Sequence, residues 1–380
     1  MAVVTWDGSS STAYSTAANW DTGSVPGDGD DVVIPDTSSI NACNVDSNDS
    51  CNSLTVSTNG EIGSDSGSKL TILGEADGTG ATTDGYAVKI DGVITDNTTT
   101  SLDLDMRTPA TTLIDIVPTS GSIRNLVINH ASFIGTFLGN TSISGNLTIN
   151  SGELKSAGSN SLTVLGTITV AGTLTCNGST INNGSASSSA GDLVWSGTIN
   201  LGTCTFNYYN GSSSNFNLAS CTLGSNTSTV NIIARQTFAG RDTDLAAGSG
   251  NLHHVTFSQT NSVTGVFNLY GATTIGGNLT LNTGTTLSTS GSSAGDNKSL
   301  TVTGGIKCIG GTFTGNASTV AIGFLEINTS GTFNAPDASG SLTINNKDTT
   351  TDNRAIDNDA TFNHNSGTVT ITTASSTGLD

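Results

Sequence analysis

The residues able to do chemistry are few, and most of them are acids. Among 380 residues there are 30 Asp and Glu against 11 Lys and Arg, with four His and six Cys. Asp103 and Asp105 stand two apart in "SLDLDMRTPATTLIDIV", with Arg107 just beyond and Asp115 further along. In an extended segment that spacing puts both carboxylates and Arg107 on one face, with Leu102, Leu104 and Met106 on the other. Glycoside cleavage needs a carboxyl pair on one face, and the separation of the pair selects direct displacement or a water-mediated route. The competing reading is an outward ion pair with Arg107. Asp28, Asp30 and Asp31 in "PGDGDD" could wrap Ca²⁺, because hard cations take clustered carboxylates in Gly-rich turns. That segment lacks the bidentate Glu of an EF-hand loop, and a plain polar turn is the other reading.

The other candidates are thinner. His130, His253, His254 and His364 have Ser on all sides, so no triad can be singled out and solvent-facing positions are expected. No C-x-x-C pair occurs, which leaves zinc and dithiol chemistry without a motif. Cys176, Cys204, Cys221 and Cys308 read as buried free thiols. Cys43 and Cys51, eight apart, could close a small disulfide loop. Tyr208 and Tyr209 in "FNYYNG" are adjacent, so at least one should face outward from a strand, as a sugar-stacking contact or a subunit contact, while Trp195 and Phe206 pack inside. There is no P-loop, no strand-borne G-x-G-x-x-G and no H-E-x-x-H. No cofactor is expected beyond the Ca²⁺ candidate.

What must position these groups is legible in the apolar pattern. With 47 Gly, four Glu and Ser, Thr and Asn throughout, the chain lacks the vocabulary of exposed helices. Val, Ile, Leu and Phe alternate with Thr and Asn at period two, which predicts short strands. "GNLTINSGELKSAGSNSLTVLGTITVAGTLTCNGST" at 145–180 is written again, with longer loops, as "GNLTLNTGTTLSTSGSSAGDNKSLTVTGGIKCIGGTFTGNAST" at 277–319. Matching the copies sets Val170 against Cys308 and Cys176 against Gly315. Upstream, the match of "RNLVINH" to "GNLHHVTF" sets Asn125 against Asn251 and brings His130 near His254. Loops grow while strands stay in phase, as stacked coils tolerate. Strands of four or five residues with one apolar face need neighbours to bury it. The predicted fold is therefore all-β, an elongated parallel β-helix or β-solenoid of about 15 coils, a rod on the order of 70 Å. Tandem β-sandwiches are the alternative. The predicted organisation is an aromatic cap and first strands over 1–50, first coils over 51–120, one solenoid block over 121–248, and a second block with the last coils over 249–380.

The net charge of −19, without any basic run, excludes nucleic acid as a partner. No stretch of about 18 apolar residues occurs, so no membrane span is predicted. The opening "MAVVTWDGSSST" shows neither the basic nor the apolar region of a secretory signal, which favours assembly in the cytoplasm, as virus particles assemble, or a signal already removed.

Solenoid ends expose strand edges and need covering. Trp6, Tyr14 and Trp20 are the residues predicted to cap the first coil, while "GTVTITTASSTGLD" offers no such cap. The run from Trp6, with its Asn-Trp, Gly-x-x-Pro turn and Asp-Asp-Val-Val-Ile-Pro, resembles the opening of β-solenoid surface proteins of phage fibres, virion surfaces and bacterial adhesins, and "FNHNSGTVTI" at 362–371 is similar to rungs of that class. The resemblance implies a non-enzymatic structural and attachment protein on a virus particle: a fibre, spike or decoration protein. It would be a homo-oligomer or assembled with other particle proteins, with host-surface glycan as a candidate ligand. A glycan depolymerase on the same scaffold and a bacterial surface adhesin are the alternatives.

Overall fold

In the computed structural model the described residues are 2–372 apart from 66, 76–84, 96–101, 110, 188–189, 212–215, 261, 291–295, 329, 347 and 349–352. Among them the structure is almost wholly strand, with a single 3₁₀ turn at Ala17–Asn19 as the helical element. Strands stack in parallel as a β-solenoid of about 14 turns. The chain divides into two compact units, residues 1–181 with 197–199, and residues 182–196 with 200–380.

In the first unit, period-two alternation becomes columns of side chains. Leu126 lies on Leu147 and Ile128 on Ile149, and these lie in turn on Ile168 and Val170. All six are buried, as are Leu154 and its upper neighbour Leu174. Parallel stacking satisfies the backbone groups along the column, and each buried Leu or Ile contributes about 1.5–3 kcal/mol from the hydrophobic effect. Thr and Asn between them face outward and tie one coil to the next. The Asn125 Oδ1 accepts the backbone N–H of Asn146, and the Asn146 Oδ1 accepts that of Thr167, each 21 residues on, at 2.9 Å. Gly172 closes a corner where the coils touch: a Cβ there would lie 2.6 Å from the Gly152 carbonyl oxygen.

At the start of this unit Trp6, Tyr14 and Trp20 are buried together. Their rings meet edge to face, Trp6 on Trp20 at 5.0 Å and Tyr14 on Trp20 at 4.8 Å. Both indole N–H groups donate to backbone carbonyls, Trp6 to Asn41 at 2.7 Å and Trp20 to Tyr14 at 2.8 Å. Buried Asn19 accepts the N–H groups of Ser10 and Ser11.

The second unit repeats the scheme with larger side chains. Val255 lies on Leu279 and Phe257 on Leu281, followed by Ile306 and Cys308, all buried. The Leu154–Leu174 column of the first copy becomes Leu287 on Phe313 on Phe333 on Phe362. The last three rings stack nearly parallel, at 4.9 and 5.8 Å. The match of Val170 with Cys308 is the register found, and burial pushes the Cys308 thiol up to about 12, the behaviour of an inert core residue. Coils are longer here: the equivalent corner bonds span 24 residues, Asn278 N–H to His254, and 27 residues, Gly305 N–H to the Asn278 Oδ1.

Those bonds correct the upstream alignment by three residues. Asn125 corresponds to His254, not Asn251, because Leu126 takes the place of Val255 beneath the next coil. His130 and His254 are therefore not equivalent. The apparent Asn-Leu match misled because corner residues are chosen for an acceptor atom, which Asn and His both supply.

All six cysteines are buried thiols outside any disulfide, as expected for Cys176, Cys204, Cys221 and Cys308. The Cys43–Cys51 disulfide is not formed. Cys43 belongs to a strand pairing with Glu61–Ser64 and Cys51 to one pairing with Leu70–Ile72, so each thiol fills its own column.

Candidate functional site

The strand Asp103–Met106 was placed by its apolar residues, and Leu104 and Met106 are buried as read. Its carboxylates differ from a shared open face. Asp103 is held by Arg124 of the next coil, whose Nε donates to Oδ1 at 2.9 Å and whose Nη2 donates to Oδ2 at 2.5 Å. The Asn125 backbone and side chain donate to the same Oδ1 at 3.1 Å. This two-pronged bond raises the Arg124 pKa. Asp105 turns outward in the alternation but only 2% of its side chain is exposed. Its Oδ2 takes Lys69 at 2.9 Å and Arg107 at 3.0 Å, and its Oδ1 is buried without a partner. The outward pair with Arg107 thus belongs to Asp105, while Asp103 has a partner the sequence did not suggest. A cavity of about 280 Å³ beside them is lined by Lys69, Asp103, Asn125 and Asn146 among others. Asp115 lies further along the same coil, on the strand Thr111–Ile116, and burial raises its pKa.

The acidic turn disperses its carboxylates. Asp28 accepts the Ser50 hydroxyl. The Asp30 Oδ2 accepts the Gly27 N–H at 2.9 Å. Asp31 is buried, and its Oδ1 accepts the Asn52 amide and the Ser53 hydroxyl, both at 2.7 Å. Among the described residues no three His, Cys, Asp or Glu gather as metal ligands.

Of the adjacent tyrosines, Tyr208 is fully buried against Phe216 at 5.2 Å, which takes it off the outer face, and Tyr209 is half-buried. Trp195 meets Phe206 edge to face at 5.2 Å, inside as read. The histidines contribute one pair, His253 and His254, with rings 4.3 Å apart. Burial, and secondarily the charge on His253, holds the His254 imidazole below its ordinary range. Its Nδ1 accepts the Asn278 N–H, which requires the unprotonated atom.

A cluster in the second unit escaped the sequence reading. A cavity of about 270 Å³ is lined by Phe216, Asn217, Asp242, Asp244 and Tyr270. Three successive coils supply it: Asp244 N–H donates to Phe216 O and Leu218 N–H to Asp244 O, while Tyr270 N–H donates to Thr243 O. Thr243 and Leu245 face the core and are buried, so Asp242 and Asp244 share the outward side. Asp244 is 6% exposed, and burial raises its pKa. The Asp242 Oδ1 is buried with no hydrogen-bond partner. Tyr270 is 55% exposed, one of four large apolar side chains so placed among the described residues. The available signal was "RDTD", two acids two apart as at Asp103 and Asp105, but the Tyr270 that joins them is 26 residues on and no local pattern announces it.

No protein-family model matches the chain, and comparison with curated proteins and with solved structures finds nothing similar.

Proposed function

We propose that the chain is a non-enzymatic structural and attachment protein of a biological surface, in the first place that of a virus particle. Its outward Thr, Asn and Ser columns would meet neighbouring protein subunits or host-surface glycan. One observation carries the preference over a depolymerase: the carboxylate pair that the sequence offers for cleavage is neutralised, Asp103 by Arg124 and Asp105 by Lys69 and Arg107. A carboxylate held by a guanidinium or an ammonium is engaged in the protein's own bonding and is not free to meet a glycosidic oxygen. A buried core with polar, hydrogen-bonded coil edges suits a scaffold whose work is to present a surface.

Purified particles and cell envelopes of the source, analysed by mass spectrometry, test the placement. Finding the chain among the particle proteins is the expected result. Its recovery from the bacterial envelope instead transfers the reading to an adhesin, and recovery from neither defeats it. In parallel, incubation with host polysaccharide is expected to release no fragments.

A further inference from the structure

We infer that the cavity formed by Asn217, Asp242, Asp244 and Tyr270 binds a neutral saccharide, one sugar ring lying against Tyr270 with its hydroxyls donating to the two carboxylates. This rests on the attachment reading and gives it a site. Four features point the same way. The cavity, at about 270 Å³, sits at the small end of the ~300–1,000 Å³ of ligand pockets, room for about one ring with the rest of a chain outside. Tyr270 presents an aromatic face to solvent, suited to the apolar C–H face of a hexose. Asp242 is only half-buried in the cavity wall and forms no salt bridge among the described residues, which leaves its carboxylate to accept a sugar hydroxyl. Asp244 leans over the neighbouring coil, where Gly271 leaves the room: a Cβ there would stand 2.9 Å from its Oδ1.

The charge selects the class. Among the described residues no cation lines the cavity, and Lys298, which acts on Asp244, is paired with Asp296 at 2.6 Å. Two carboxylates repel uronic and sialic acids and accept from neutral hydroxyls. A divalent cation would use the carboxylates but not the tyrosine, and no third acidic, His or Cys ligand joins them among the described residues.

The test uses the whole chain with neutral glucose and mannose tetrasaccharides and a galacturonate tetrasaccharide, in EDTA, followed by calorimetry or saturation-transfer NMR. At least one neutral probe should bind and the galacturonate should not. Tyr270→Ala and Asp242→Asn should each weaken binding about tenfold or more, the loss of a stacked ring or of a charged acceptor. Tyr209→Ala should leave it unchanged, and circular dichroism should show all three variants folded. Failure of every neutral probe, preference for the acidic one, binding that needs Ca²⁺, or binding indifferent to Tyr270→Ala overturns the site. So does release of fragments from a neutral probe that Asp244→Asn abolishes. Adhesion of the chain to host surfaces that survives Tyr270→Ala would remove this site while leaving the attachment reading standing. Absence of any adhesion removes both.

Discussion

Asp103 with Asp105 in the first unit and Asp242 with Asp244 in the second are the same local device: two acids two apart on an outward strand face. Their surroundings make them opposites. Around Asp105 two long cations fold over the carboxylate, their own side chains 40% and 46% exposed while it is sealed. Each pair has one buried carboxylate oxygen without a partner, on Asp105 and on Asp242, but around Asp242 no salt bridge forms among the described residues and an exposed tyrosine stands beside it. A paired buried charge is structural. A half-buried carboxylate that no cation meets, in the wall of a cavity, is left to accept from a ligand.

The comparison can be broken most forcefully at the first pair. Lys69→Met with Arg107→Met leaves Asp105 buried and unpaired, and urea denaturation should report a loss of about 3–5 kcal/mol with unchanged denaturant dependence. Either substitution alone should cost clearly less, since the other cation remains. A double variant as stable as the parent would mean that Asp105 is solvated and the two faces are alike. At the second pair the sign should reverse. Asp242→Asn removes a carboxylate that has no partner and should leave stability unchanged or raise it by up to about 1 kcal/mol, while binding falls as above. A loss above about 2 kcal/mol would make Asp242 a structural residue of the ordinary kind.

The smallest effect sharpens the other equivalence, between Asn125 and His254 at matching corners. The folded state holds the His254 pKa below its ordinary value, so the unfolded chain binds the proton more readily. Its contribution to stability is therefore complete above about pH 6.5 and is lost as the pH falls toward the depressed folded value. Urea midpoints at neutral and mildly acidic pH should separate for the parent. The separation should narrow in His254→Asn, which copies the first unit, and an unchanged separation would assign it to other groups.

How much could be read in advance follows the range of each interaction. Period-two alternation predicts strands with one apolar face, and Leu147 with Ile149, Leu162 with Val164 and Leu279 with Leu281 are all buried. The pairing of the two long copies was right wherever a strand set it, as at Val170 and Cys308, and wrong by three residues at Asn125, where an acceptor atom set it. The burial of Tyr208 rather than Tyr209 was left open by an alternation that permits either phase, and packing inside the coil decided it through Phe216.

Taken by itself, the order of residues determined the strands, their inward faces and their stacking into coils, because period two and Gly-rich corners are local properties repeated many times along the chain. Only the tertiary structure decided which cation reaches which carboxylate and which tyrosine meets which acid. Apart from Arg107 on Asp105, two residues away, those contacts join residues about 20 to 40 positions apart across stacked coils, and they depend on coil length and side-chain reach, which nothing in a single stretch of sequence records.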